Sequence, residues 1–373
     1  MTKDNLYVDI HVLQTVPSSN INRDDTGSPK TAIYGGTTRA RVSSQSWKKA
    51  VREGFRDDSE KQDWLAGFRT KRSADLLAKQ LMKLDSTLDF DAAREKAKDI
   101  LTKMGLKFDK AKASDSNKDK DYETKVLLFF SPGQIEKLAQ YMLNHDEIDK
   151  KEVKKILNDN QSLDLALFGR MVADDPELNV DASSQVAHAI STHEIVPEFD
   201  FYTAVDDEQK NEESGSAMMG TLEYNSSTLY RYANVNINEL AHNVGSNLVV
   251  TGIKEFIKNF ISTMPTGHQN SYANKTIPQY VMVVLRKDTP VNLVSAFETP
   301  VKSREGYVQK SIEQLEKEYE NAGKWVASPI ATLVLANDNL EVKTGNQVDD
   351  IDNLLEDIST EISKRVENED VNN

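Results

Sequence analysis

The chain has 373 residues, a formal net charge of -14 and no cysteine, which rules out disulfides, thiolate metal sites and cysteine nucleophiles. That length allows two domains or one core carrying large insertions, the latter being favoured, and a hydrophobic content of 38% is a little lean for a compact enzyme. The acidic balance argues against nucleic acid on all sides, yet screening over roughly 8 Å lets a local basic groove act independently of distant acids.

Residues 1–5 lead straight into a strand pattern with no signal-peptide core, and no apolar run approaches the roughly 20 residues that span a bilayer. A cytoplasmic protein without membrane contact is expected. Residues 6–13 alternate, with Leu6, Val8, Ile10 and Val12 on one side and Tyr7, Asp9 and His11 on the other, the pattern of a half-buried first core strand. Residues 22–52 then gather arginines, lysines and hydroxyls around a helix start. Arg39 and Arg41 fall on one face of an extended segment and should project together. Ser43 or Ser44 can cap the helix that follows, in which Trp47, Ala50, Val51, Gly54 and Phe55 share one arc and Lys48, Lys49, Arg52 and Arg56 another.

Residues 57–104 turn helical and rich in charge, and the Lys/Asp/Ser run at 112–122 reads as an exposed loop. A short apolar run at 126–130 precedes the turn Pro132-Gly133 and a helix over about 134–143. Asp149 caps a helix over 150–157 that turns Val153, Ile156 and Leu157 to one side and Lys151, Lys154 and Lys155 to the other, with Lys150 nearby. Residues 199–205 alternate, enter the polar loop 206–216 and return through 218–222 as an extended hairpin. A strand at 229–236, a helix at 248–261 and a buried strand at 280–285 follow. The order strand, helix, strand, helix, strand predicts an α+β fold, a ferredoxin-like or RNA-recognition-motif sheet with helices on one face, interrupted by a helical insertion and the hairpin. Ile351, Leu354, Leu355, Ile358 and Ile362 outline a C-terminal amphipathic helix, with a frayed acidic tail at 366–373.

The segment 22–52 offers amide donors at a helix start, guanidinium forks and ammonium groups, which suits successive phosphates of one strand; a merely solvated helix face has the same composition. Lys150 to Lys155 suit either a second nucleic-acid strand or a soluble surface. The aromatic hairpin suits base stacking or packing against protein. Asp24 and Asp25 suit a divalent metal for phosphodiester cleavage, or a loop that pairs with arginine. His188 and His193 fit one helix face poorly, Gly35-Gly36 lacks the Gly-Lys-Ser/Thr of a phosphate loop, and no hydrolase or zinc-protease motif occurs, so no enzyme class, metal or cofactor is called for.

The strings Asn22-Arg23-Asp24-Asp25, Ala32-Ile33-Tyr34-Gly35-Gly36 and Arg41-Val42-Ser43-Ser44-Gln45-Ser46 followed by Lys48 resemble the CasC family, the Cas-seven-type backbone subunits of type I-E CRISPR Cascade complexes. The likeness continues in order through 166–171, 186–193, 201–207, 230–236 and 295–298, and fades over 57–122 and after about 323. It implies a palm (1–56, 181–194 and 228–373), helical fingers (57–180) and a hairpin thumb (195–227), in copies stacked head to tail along a guide RNA.

The resemblance also implies roles. Arg23, Ser43, Gln45, Lys48 and Lys49 match positions that hold the guide backbone, with Arg39, Arg41, Arg52 and Arg170 as further candidates. Met171, Phe201, Tyr202 and Thr203 belong to the place where each thumb displaces a base, Phe201 standing where the family has a tryptophan. Lys150, Lys151, Lys154 and Lys155 fall on a helix implicated in target DNA, although Leu157 replaces a further lysine of the pattern. The expected partners are CRISPR RNA, target DNA, further copies of the chain and the CasA, CasB, CasD and CasE types of Cascade subunit. The expected role is non-enzymatic, the alternatives being a metal-dependent ribonuclease using Asp24 and Asp25, or a generic single-stranded RNA-binding assembly protein.

Overall fold

A computed structural model describes residues 5–59, 62–111, 118–145, 147–172, 175–204 and 218–370. The polar loop expected at 206–216 and the first residues of the Lys/Asp/Ser run, 112–117, lie outside the described residues. The elements in chain order are β1 (Tyr7–Ser19), β2 (Thr31–Tyr34), β3 (Thr37–Val42), α1 (Ser44–Asp58), β4 (Phe68–Thr70), α2 (Ser73–Leu84), α3 (Phe90–Lys103), β5 (Leu128–Phe130), α4 (Pro132–Asn144), α5 (Lys150–Asn158), α6 (Leu163–Phe168), β6 (Ser184–Val186), β7 (Ala189–Ser191), β8 (Glu198–Ala204) and β9 (Met218–Asn236). Then come α7 (Ile237–Val244), α8 (Ser246–Ser262), α9 (Gln269–Tyr272), β10 (Tyr280–Arg286), α10 (Val308–Ala322), β11 (Ala331–Ala336), β12 (Asn346–Gln347) and α11 (Ile351–Asp370). α11 thus runs through most of the stretch read as a frayed tail.

The chain forms two compact units. The first comprises Met1–Val51, Val186–Asn234 and Lys254–Asn373. Its main sheet has the order β12-β11-β10-β1-β9-β7-β3-β2, with β8 paired to β9. Taking β1, β7, β9 and β10 as the four core strands, the order β10-β1-β9-β7 is that of a ferredoxin-like sheet. β7 is only three residues long, too short to show a period in sequence. β1 pairs antiparallel with β10, Leu13 opposite Tyr280 and Tyr7 opposite Arg286.

Helices on one face only, and a half-wet β1, do not hold. One face packs Val16, Ala40, Val42, Ala189 and Leu229 against Trp47 of α1. The other face, through Leu13, Tyr230, Tyr232, Met282 and Val284, packs against Leu293, Phe297 and the α10 residues Ile312 and Leu315. Asp9 and His11 are consequently fully buried. An ionised carboxylate without partners there would cost several kcal/mol. Asp9 is instead held by the Tyr232 hydroxyl at 2.7 Å, Arg286 Nε at 2.9 Å and the Val291 amide at 3.1 Å. Burial still raises its pKa to about 6.

The loop beyond β10 is clamped from several sides. The Tyr34 hydroxyl donates to the Val294 carbonyl at 3.2 Å, and Arg39 Nη2 to the Phe297 carbonyl at 2.8 Å. Gly35, at φ +59°, lies so close that a Cβ there would overlap the Glu298 carbonyl. This contact gives Gly35 a reason unrelated to phosphate approach.

The second unit comprises Arg52–Gln185 and Val235–Ile253. Helices α2, α3, α4 and α5 enclose a core of Leu77, Leu81, Ile100, Leu101, Leu138, Met142 and Val153. Their starts follow from local chemistry. Asp89 accepts from the Ala92 amide, Ser131 and Gln134 form a capping box with Pro132 in the first turn, and Asp149 accepts from the Lys151 amide.

Candidate nucleic-acid interface

In the first unit, a short ladder leads into α1. The Lys30 amide donates to the Asn22 carbonyl and the Arg41 amide to the Lys30 carbonyl, each at 2.9 Å. The Asn22 side chain then accepts from the Ser43 amide at 2.8 Å. Ser43 is the cap residue, its carbonyl accepting from Ser46 and Trp47, and it is buried. The Ser44 amide donates to Nδ1 of His188 at 2.9 Å, so the imidazole proton resides on Nε2. α1 has no acid in its first turn to offset the partial positive charge of its N-terminus.

Gln45 and Lys49 are exposed and Lys48 is half-buried, its pKa lowered by burial. His188 is held below its ordinary value by burial and then by the positive charges of Arg41 and Lys30. The positive charges of Arg41 and Lys30 thus act at the helix start, beside its amide donors. Lys30, Asn22 and His188 were not read as site residues from sequence; the adjacency of 188 to 44 is a product of the β3–β7 pairing.

Arg23 is exposed at an isolated bridge to Pro29. Asp24 turns one oxygen to the Thr26 amide, the Thr26 hydroxyl and the Ser28 amide at 2.7–3.0 Å, and these bonds lower its pKa, the Thr26 hydroxyl first. Among the described residues no group of three or more His, Asp or Glu is placed to hold a metal ion.

Arg39 does not project beside Arg41. It is fully buried, its guanidinium committed to Thr37 Oγ1, the Ser191 carbonyl and the Phe297 carbonyl at 2.8–2.9 Å. Arg41 remains half-buried with Nε on the Thr31 carbonyl.

The hairpin of β8 and β9 has an explicit register: Phe199 faces Glu223, Phe201 faces Thr221, Tyr202 faces Gly220 and Thr203 faces Met219. Side chains alternate across a strand. One face thus carries Phe199, Phe201, Thr203 and Met219, with the apolar three 64–68% exposed, and the other carries Glu198, Asp200 and Tyr202. Tyr202 lies against Gly220, where a Cβ would overlap its ring. Met219 belongs with the aromatic residues; sequence placed it on the return strand but did not single it out, because the register that sets it opposite Thr203 is fixed by pairing across the loop.

In the second unit, two further expectations are corrected. Arg52 bonds Asp164 at 2.9 Å and lies over the Phe129 ring at 4.6 Å. Arg170 is buried and donates to the carbonyls of Leu178, Leu157 and Phe129 at 2.7–3.2 Å. Burial lowers its pKa to about 10. Both guanidiniums hold this unit together. Met171, the next residue, is 82% exposed. On α5, Lys150, Lys151 and Lys155 are exposed, while Lys154 is paired with Asp175 at 2.9 Å and Glu177 at 2.5 Å. The lysine face is three cations wide, not four.

The chain combines a ferredoxin-like palm with a basic loop-to-helix segment and an aromatic hairpin. It is similar to a chain of a CRISPR RNA-guided surveillance complex in a pre-nicking state, with 33% identity and a TM-score of 0.84 over 95% of this chain and 99% of that one. A chain of another CRISPR RNA-guided surveillance complex is 30% identical, with a TM-score of 0.73 over the same shares. No curated protein matches the sequence. The family model described as CT1975-like protein matches residues 8–360, and the chain belongs to that family.

Proposed function

We propose that this chain is the guide-RNA-binding backbone subunit of a type I-E CRISPR surveillance complex, cytoplasmic and non-catalytic, which lines up in copies along CRISPR RNA and presents its bases to target DNA. The observation that carries the reading is the positive helix start of α1, with Lys30, Arg41, Lys48 and Lys49 around it, in a chain similar over 95% of its length to a chain of an RNA-guided surveillance complex. Arg23, Arg41, Gln45, Lys48 and Lys49 hold guide phosphates; Ser43 fixes the helix that presents them. Such contacts position a strand, and base pairing supplies specificity. The Phe199, Phe201, Thr203 and Met219 face of the hairpin meets bases, together with Met171. Lys150, Lys151 and Lys155 meet target DNA, and the remaining Cascade subunits cap and flank the row.

The test is copurification with a uniform short RNA, followed by binding of that RNA across a salt series. Binding should weaken with a slope of about -0.7 per phosphate contacted, and Lys48→Ala with Lys49→Ala should flatten the slope by about 1 to 2 units. A flat response in the unaltered protein sinks the reading. The ribonuclease alternative requires Mg²⁺-dependent cutting that is lost on Asp24→Ala with Asp25→Ala.

A further inference from the structure

Trp325 is 89% exposed, in the turn that leaves α10, where its amide donates to the Ala322 carbonyl at 2.9 Å. Two bonds tie this turn to the end of β10: the Ala327 amide to Asp288 at 2.8 Å, and the Ile330 amide to the Leu285 carbonyl at 2.7 Å. A large aromatic side chain left this open on a rigid turn is the usual anchor of a protein contact.

At the opposite end of the same strand pair lies an apolar groove of about 660 Å³, lined by Ile261, Ile277, Val281, Leu335 and Ile351. Ile277 on its edge is 73% exposed, and Asp338 and Asp349 stand on the rim. The register of β10 with β11, Tyr280 opposite Ala336 and Leu285 opposite Ala331, puts groove and tryptophan at the two ends. At about 3.3 Å per residue, Gln279 and Asp288 are roughly 30 Å apart.

Resting on the reading of a subunit that assembles in copies, we propose that Trp325 of one copy seats in the Ile277 groove of the next. Charge supports a second copy as the occupant: Lys324 adjoins the tryptophan, and Asp338 and Asp349 border the groove. A two-fold contact would instead set Trp325 on Trp325 and Lys324 on Lys324. A knob and a hole at opposite ends of one strand pair leave a free knob and a free hole after every addition, so the contact is head-to-tail and open-ended.

The chain has no native cysteine, so Ser328→Cys beside the knob and Asn339→Cys beside the groove can be linked by a short bis-maleimide. The full chain is treated with and without a single-stranded RNA several copies long. The doubly substituted protein should give a ladder of cross-linked oligomers and neither single variant should. Adding Trp325→Glu should cut the ladder at least tenfold while leaving binding of a one-copy RNA unchanged. Dimers from Ser328→Cys alone, cross-links only to a different subunit in complexes taken from cells, or no ladder where sedimentation shows copies gathered on RNA, each overturn the contact. The last result leaves guide binding standing, whereas a ladder from protein that binds no RNA upholds the contact and removes guide binding.

Discussion

The backbone amide of Ser44, the first residue of α1, donates to Nδ1 of His188 on the approach to β7. That bond exists only while the imidazole is neutral, because a protonated ring presents N–H on both nitrogens. It ties the start of the basic helix to a titratable group.

A pH dependence follows. The folded pKa of His188 is lowered, so below about 6.5 the unfolded chain takes up a proton that the folded chain resists, and stability is lost as pH falls. His11 and His193 are shifted in the same direction by burial. The informative quantity is therefore a difference: His188→Asn should show a shallower drop in urea midpoint between about pH 7.5 and about pH 5.5 than the unaltered protein. Parallel curves would show that the Ser44 bond does not sense protonation.

Gly220→Ala should separate the position of Tyr202 from its chemistry. The added methyl displaces the ring from the strand, yet both residues lie on an exposed hairpin, so stability should change by no more than about 0.5 kcal/mol. Fluorescence of 2-aminopurine placed along the guide should change where the hairpin meets it. An unaltered signal would mean that Tyr202 touches no base and that Phe199, Phe201 and Met219 suffice.

Arg231 is buried between Trp47, 3.7 Å from its ring, and Phe260 at 4.6 Å, and donates to Gln14 at 2.6 Å and to the Phe260 carbonyl. Desolvation lowers its pKa to about 9. A lysine keeps the charge but loses the planar stacking and the fork of donors. Arg231→Lys should lower stability by about 2 to 4 kcal/mol in chemical denaturation. A loss under about 0.5 kcal/mol would show that the guanidinium plane is dispensable.

The α5 lysines should divide by their partners. Lys150→Ala, Lys151→Ala and Lys155→Ala together should weaken target-DNA binding and spare guide retention. Lys154→Ala releases Asp175 and Glu177, and should instead give a small fall in the urea midpoint. Equal DNA effects from both sets would reject the division.

Periodicity located β1, α1 and α8, because each carries several apolar turns or alternations of its own, and a continuous apolar run located β10. Periodicity failed where coverage came from far along the chain. Asp9 and His11 alternate like wet-face residues, but α10, some 300 residues later, covers them. Arg39 and Arg41 share a parity, yet only Arg39 lies under the Phe297 carbonyl, which no local pattern announces. Arg52 shares the cationic arc of α1, and Arg170 lies in a family-like string; sequence does not reveal the acceptors that enclose either. The basic helix start was legible in Ser43 to Lys49; the histidine that completes it was not.

β9 is a single uninterrupted strand of 19 residues, paired with β8 at its outer end and with β7 nearer the centre of the sheet. Its backbone ladder leaves no joint between the aromatic face and the sheet that carries α1. The distance from the start of α1 to the hairpin is therefore a property of the protein alone. In the assembly proposed above, each copy would act as a fixed-pitch gauge, marking off its guide in equal steps whatever the base sequence.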